Sequence, residues 1–497
     1  MPARSDSTSA VDPVRGLRLT GELVRPAHPG YPLAVQLQNT EYDTATPCAV
    51  AYCATEDDVV ACVRRARADG TRLHVRSGGH SFNGWSTGDG LVIDLSRMND
   101  VSLGGAAGAP TVRLGPGTQS LDALDALRPA GRQIVTGTFP TVAAGGFLTG
   151  GGIGWQTRRF GVGSDRMVSA RVVLADGRTV RCSAVEEPDL FWALRGGGGG
   201  TFGIVTAFEV HPVDAPLLTA FETLWSFDDA AEVLTAWQEW SVRGRVDLGS
   251  SLVVLPGLFG PGGRPVVRIW GVDHGSGELL PNDLDRLAEQ SGARPLSRTV
   301  GPPGPYADVM HRALCGSATV AQCHRRGTGP EAEGHRHPLT RQSYRLTHRP
   351  VRSSEAEALL KVWEAAPTPE RYLLCIAVGG EANRPAVSDT AYSHRSAQFL
   401  TGFQTAERAT SPAAGAVEAM EAWADGAADV LEPMACGSYI NFPSSRTAGD
   451  WGHDHFGRNL GRLRDVKRDY DPENVFRHAL SVAGDRGGRT TEKEAGA

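Results

Sequence analysis

Residues 75–84, Val75-Arg76-Ser77-Gly78-Gly79-His80-Ser81-Phe82-Asn83-Gly84, decide how the rest of the chain is read. A run with β character, Arg72-Leu73-His74-Val75, stops at the small-residue turn Ser77-Gly78-Gly79, and one ionisable side chain, His80, follows at once. Glycine permits positive φ and leaves backbone N–H groups uncovered, so an anionic group can rest against such a loop. A histidine held there by a tight turn is open to four readings: an ordinary turn residue, a base, a metal ligand or a point of covalent attachment. The loop by itself does not choose among them.

Its flanks give it a setting. Upstream, residues 49–53 read as a short strand, and Thr55 caps a helix with Glu56, Asp57 and Asp58 in its first turn. That helix stops at Gly70, and Val59, Val60, Cys62, Val63 and Ala66 form its apolar stripe. Downstream, residues 91–95 form a second strand. The loop therefore lies at a strand end of an α/β unit, where such folds place ligands.

Two further glycine runs follow. Residues 137–154, from Gly137-Thr138-Phe139-Pro140-Thr141 through Gly145-Gly146 and Gly150-Gly151-Gly152 to Gly154, suit neither a stable helix nor a strand interior. Backbone this bare can run along an extended anionic ligand, and the interleaved Phe139, Val142, Phe147, Leu148, Ile153 and Trp155 argue against a flexible linker. The third run, residues 196–200, leads into Gly203-Ile204-Val205. Gly198 to Gly203 matches GxGxxG, yet a helix precedes it and a strand follows, the reverse of what a dinucleotide fingerprint requires. Ala175-Asp176-Gly177 reads as the turn of a hairpin.

A chain of 497 residues exceeds one core, so two or three domains are expected. A net charge of −6 argues against a nucleic-acid partner. No apolar run reaches the length of a membrane span, and no secretory leader is visible. The 8 cysteines are scattered without CxxC pairs, which suits reduced thiols and a cytoplasmic location. Residues 1–16 and 484–497 read as loose polar tails. Beyond about residue 214, strand-like runs alternate with long helical patterns, as in a second domain. Cys315, Cys323, His324, His335, His337 and His348 form a loose patch whose spacing fits no structural zinc pattern, so no metal is expected. The motifs of zinc proteases, α/β-hydrolases and P-loop proteins are absent.

The motifs in sequence now carry a resemblance. Arg76-Ser-Gly-Gly-His80-Ser81 and Pro140-Thr141-Val leading to Gly145-Gly146 and Gly150 to Gly154 come first. Asp189-Leu-Phe-Trp-Ala-Leu-Arg before the third glycine run, Tyr439-Ile-Asn441, Asn459 to Lys467 and Tyr470-Asp-Pro follow in that order. Together they resemble the berberine-bridge-enzyme-like oxidases of the vanillyl-alcohol-oxidase (PCMH-type) flavoproteins over residues 42–482.

The resemblance implies an α+β, two-domain PCMH-type FAD-binding fold with a discontinuous FAD domain and a sheet-plus-helices substrate domain. Residues 1–41 would be a tail and lead-in, 42–214 the FAD domain, and 215–432 the substrate domain. Residues 433–482 would complete the FAD domain, and 483–497 would be a tail. His80 matches the family's histidine bonded to the flavin 8α-methyl. Many relatives carry a cysteine before Pro-Thr-Val as a second tether, and here that position is Phe139, so FAD attached through His80 alone is expected. Phe147 stands where relatives often have histidine. The resemblance assigns cofactor contacts to Arg76, Ser77, Gly78, Gly79, His80, Ser81, Gly137, Thr138, Thr141, Gly145, Gly146, Gly150, Gly151, Gly152, Gly154, Gly203, Ile204, Val205, Tyr439, Asn441 and Asn459.

Tyr439 matches the tyrosine that serves some relatives as base. A phenol with an ordinary pKa near ~10 needs neighbours that lower it for that work, and the bland alternative is a packing role. Tyr392, His394 and Arg395 resemble a stretch bordering the family's substrate cavity. They would touch substrate, contribute to the base or hold the domains together. The implied reaction moves hydride from an alcohol, amine or ring C–H of a secondary metabolite to flavin, with O₂ as acceptor and H₂O₂ as product. A flavin oxygenase or ring-forming enzyme on the same fold, or a secreted-type carbohydrate oxidase, are the alternatives. The expected partners are a small-molecule substrate and O₂, with no membrane and no nucleic acid, in a monomer or homodimer.

Overall fold

The computed structural model describes residues 13–106, 108–215, 217–257, 263–409, 412–445 and 450–483, and the outer parts of both expected tails lie outside the described residues. The unit around His80 forms as its local signals direct. Helix Glu56–Asp69 begins at a capping box between Thr55 and Asp58 and ends at Gly70. Strands Ala49–Tyr52, Leu91–Asp94 and Leu73–Arg76 lie parallel, with Glu22–Val24 antiparallel at one edge. Val59, Cys62, Val63 and Ala66 bury against them. Val14 is also buried in this core, so the N-terminal tail is packed from at least that residue.

A second sheet is antiparallel, in the order Val101–Ala106, Ala109–Leu114, Ile204–Val210, Met167–Val173 and Thr179–Ser183. Its last two strands are the hairpin expected from Asp176-Gly177. Helix Pro188–Leu194 precedes the third glycine run and strand Ile204–Val210 follows it, the order on which the dinucleotide fingerprint is rejected.

The third sheet has eight strands, in the order Ser297–Val300, Thr219–Ser226, Val266–Asp273, Leu248–Leu255, Glu370–Ala377, Phe399–Glu407, Leu339–Thr347 and Ala435–Gly437. One face packs Trp225, Ile269, Cys375 and Phe403 against helices Ala230–Arg243, Leu280–Ser291, Ser353–Glu364 and Ala416–Leu431. Side chains alternate along a strand, so Tyr344, Leu374, Ile376 and Gln404 fall on the other face, towards the glycine loops.

Helix Leu460–Tyr470 returns the chain to the third glycine run. Its Lys467 is fully buried, and the ammonium donates to Asp471 Oδ2 (2.7 Å) and to the carbonyls of Thr201 (2.7 Å) and Phe476 (2.6 Å). A buried charge is tolerated only when its donors are all used, as here. No helix among the described residues is long and apolar enough to cross a membrane.

Two expectations are corrected. Cys315 and Cys323 are joined in a disulfide, because Gly316 turns the chain at the end of helix Tyr306–Cys315 and brings Cys323 back to it. The second glycine stretch holds a short helix, Ala144–Thr149, despite its composition. Burial of Ala144, Phe147 and Leu148 outweighs the poor helix propensity of Gly145 and Gly146.

Candidate active site

A cavity of about 410 Å³ opens between the three glycine runs and the free face of the eight-stranded sheet. The first two runs meet backbone to backbone. A Cβ on Gly78 would stand 2.8 Å from Ala143 Cβ, and one on Gly145 would stand 2.8 Å from Ser77 Oγ. A Cβ on Gly146 would meet nothing within 4 Å, because that residue faces the open cavity. Gly199, Gly200, Gly203, Ile204 and Val205 continue the wall, and Phe476, Arg477 and His478 close one end. There Trp85 stacks on His478, ring centroids 4.5 Å apart.

His80 stands on this wall. Its Nε2 is 2.8 Å from Thr141 Oγ1, and Phe139 meets its ring edge-on at 5.4 Å. Burial, with His337 and Arg325 nearby, holds the imidazole down at about 3, so it is neutral near pH 7. The Thr141 hydroxyl can accept from Nε2–H or donate to a bare Nε2, so this contact suits either neutral tautomer.

Tyr439 reaches the cavity from the opposite side. Its hydroxyl oxygen accepts from the backbone N–H of Gly152 (2.9 Å), that of Ile153 (3.2 Å), and Asn441 Nδ2 (3.2 Å). Asn441 Nδ2 also donates to Phe147 O, which fixes the orientation of its amide. Gly152, at φ 94, is what lets this backbone turn its N–H towards the phenol. Part of the glycine run that the sequence assigned to a ligand thus cradles a side chain instead. Burial pushes the phenol up to about 12 against the pull of the three donors, the opposite of the lowering expected of a ready base.

Ser77, Ser81, Gly137 and Thr138 also line the cavity. Other residues assigned to the site stand behind its wall. Arg76 pairs with Asp94 and donates to Ala34 O (2.7 Å), steadying the strand beneath the His80 loop. Tyr392 packs edge-on to Tyr439 at 6.3 Å, with the Arg395 guanidinium over its ring. His394 Nε2 lies 2.9 Å from His455 O, and Asn459 Nδ2 donates to Val387 O (2.8 Å) and Thr390 O (3.0 Å). Of the roles open to Tyr392, His394 and Arg395, this geometry corresponds to holding parts of the fold together. Arg395 does so directly through a buried ion pair with Asp165.

Sequence reading missed His337, Tyr344, Leu374, Ile376, Gln404 and Phe442, which all line the cavity. His337 had been seen only as part of the Cys/His patch. Among the described residues no three metal-binding side chains converge there. The patch is instead divided between the disulfide, a His324–Asp122 contact (3.0 Å) and the cavity.

Residues 47–183 match the family model "FAD binding domain", and residues 438–483 match "Berberine and berberine like". An FAD-linked oxidoreductase of Bacillus subtilis, YgaK, is 28% identical over 486 residues, covering 94% of this chain and 97% of its own. Glucooligosaccharide oxidase of Sarocladium strictum is 27% identical, covering 89% and 88%. The solved structure of Physcomitrella patens BBE-like 1 superposes with a TM-score of 0.83 at 22% identity, covering 94% and 97%. The fold and its glycine-walled cavity are those of an FAD-dependent oxidoreductase. Within that class the chain carries matches to both the FAD-binding domain and the berberine-like C-terminal segment. The residues present suit FAD, since bare backbone at Gly78, Gly79, Gly145, Gly146, Gly199 and Gly200, with Arg477, offers N–H donors and a cation to phosphates.

Proposed function

We infer that this protein is an oxidase carrying FAD bonded to His80 alone, acting on a small secondary metabolite and passing the electrons to O₂. The observation that carries the reading is a neutral His80, with Nδ1 unpartnered among the described residues, on the same cavity as Tyr439. FAD bound there supplies the hydride acceptor and the route of electrons to O₂. Thr141 orients the His80 ring through its contact with Nε2, leaving Nδ1 as the nitrogen available for attachment. Phe139, in the place of the second tether, has no thiol to offer. Ser77, Gly78, Gly145, Gly146 and Arg477 hold the phosphates, and the sheet face with Tyr344, Leu374 and Ile376 excludes water.

Tyr439 takes the proton from the substrate O–H or N–H. Its pKa of about 12 makes it a phenol at rest, and the N–H groups of Gly152, Ile153 and Asn441 receive the negative charge when it ionises. The rate of flavin reduction is therefore expected to rise with pH and to be still rising at about pH 9. Asn441→Leu is expected to move the profile further to alkaline pH at unchanged flavin content. A profile that stays in place removes Asn441 from this role.

Oxidase and oxygenase are separated by turnover under ¹⁸O₂. The oxidase reading expects one H₂O₂ per product and no label in the product, and incorporated ¹⁸O would replace it with the oxygenase.

A further inference from the structure

We propose that Cys315 and Cys323 are a site of reversible oxidation, closed to the disulfide by H₂O₂ that the enzyme itself releases, and that this closure fastens residues 324–337 across the FAD-binding half. The source of the peroxide rests on the oxidase reading above, whereas the redox site and its mechanical effect rest on the fold.

Residues 324–337 form a strap rooted at the disulfide. Directly after Cys323, His324 Nε2 lies 3.0 Å from Asp122 Oδ1 on helix Ser120–Leu127 of the FAD-binding half. Backbone N–H groups of Glu333, Gly334 and Arg326 donate to Gln322 O (2.9 Å), His324 O (2.8 Å) and Gly334 O (3.0 Å), which folds the strap back on its root. Its far end crosses residues 37–43. Arg336 Nε donates to Leu37 O (2.8 Å) and its guanidinium pairs with Asp43, while Gln38 Nε2 donates to His335 O (2.9 Å). His337 N–H donates to Gln38 O (2.8 Å), and Gln38 N–H donates in turn to Gly79 O (2.9 Å), in the loop that carries His80. A continuous run of contacts thus joins the disulfide to the cofactor wall.

The pair is placed for redox chemistry. Both cysteines are half-buried, within reach of small oxidants and reductants, whereas Cys53, Cys62, Cys182 and Cys375 are fully buried. Burial pushes the Cys436 thiol up to about 11, which keeps it protonated and inert. His324 is the next residue after Cys323, and its contact with Asp122 raises its pKa, so it carries charge at a higher pH than an ordinary histidine. A cation beside a thiol favours the thiolate, the form that attacks peroxide.

Peroxide is the only oxidant the step needs. One thiolate attacks H₂O₂, an S–O bond forms as the O–O bond breaks, and the departing hydroxide takes a proton to become water. The second thiolate attacks that sulfur, the S–S bond forms as the S–O bond breaks, and a second water leaves. Two thiols lose two electrons and one peroxide gains them. A dithiol reverses the change by exchange through a mixed disulfide. Closing the short loop between the two cysteines removes freedom from the root of the strap, so the oxidised form holds it down and the reduced form loosens it. Peroxide from the first turnovers thereby tightens the wall around the cofactor.

The test uses the purified holoprotein without substrate, reduced with dithiothreitol, desalted, and divided into samples with and without stoichiometric H₂O₂. Peptide mapping after iodoacetamide is expected to find Cys315 and Cys323 alkylated in the reduced sample and joined in the peroxide-treated one. Amide exchange of residues 324–337 is expected to be roughly 10- to 100-fold faster in the reduced sample, the size of effect that closing a short loop brings. Cys315→Ser/Cys323→Ser is expected to exchange at the reduced rate in both samples. The wild-type comparison needs no substitution, so it stands even if that variant does not fold. A disulfide that dithiothreitol leaves intact, an exchange rate indifferent to redox state, or a reduced pair that peroxide does not rejoin each overturns the proposal. Turnover without H₂O₂ would instead overturn the oxidase reading, and added peroxide reads the redox site independently of it.

Discussion

Tyr439→Phe is expected to slow reduction of the bound flavin by roughly 10²–10⁴-fold, the span that general-base groups contribute. The substitution removes one oxygen from a side chain that is otherwise fixed by its ring. Phe442 stacks on it at 6.1 Å and Tyr392 meets it edge-on, so a phenylalanine retains the packing. The Gly152 and Ile153 N–H groups lose their acceptor, which costs about 1–3 kcal/mol of stability for buried donors left unpaired. That loss is separable from the chemistry, because it lowers the unfolding midpoint without changing the pH profile. The base assignment predicts a distinct signature: the rise in rate at alkaline pH disappears along with the rate. A variant that reduces its flavin as fast as the parent, or keeps the alkaline limb, shows that another group takes the proton.

His80→Ala is expected to abolish covalent retention of flavin. Acid precipitation of the parent should leave the yellow colour in the pellet, and a peptide spanning His80 should carry the flavin mass. The variant should release all of its flavin into the supernatant. Thr141→Val gives a finer test, since it removes the hydroxyl that orients the His80 ring at Nε2 while leaving the nucleophile in place. Slowed attachment at normal flavin binding is the expected result. Complete release of flavin from the unmodified protein would remove the tether, and the role of Phe139 as a missing second tether would go with it.

Local signals made much of the fold legible. Thr55, the three acids after it and Gly70 delimit a helix in sequence and in space, and Asp176-Gly177 marks its hairpin. Leu339–Thr347 and Phe399–Glu407 were not read as strands, because Arg341, Gln342, Arg345 and Gln404 interrupt any apolar run. Both are interior strands whose polar residues alternate towards the cavity or the solvent, and only the pairing partners reveal that. The site divides in the same way. His80, Tyr439 and the glycines stand in motifs, whereas His337 reaches the cavity through pairing of its segment with residues 38–40, some 300 positions away. Nothing local announces such a contact. The glycine run 150–154 was assigned by composition to the cofactor, and only geometry reveals that two of its neighbouring N–H groups serve Tyr439.

The ammonium of Lys467 joins Thr201 of the third glycine run to Phe476, next to Arg477 and His478. During synthesis these last residues leave the ribosome after every other wall of the cavity has been made. The nascent FAD-binding half is therefore a cup without its rim until residues 467–478 have emerged, and cofactor capture is expected to wait for that segment. Ribosomes stalled with residues 1–440 exposed should hold a folded but flavin-free intermediate, and release of the final segment should be the step that makes it yellow.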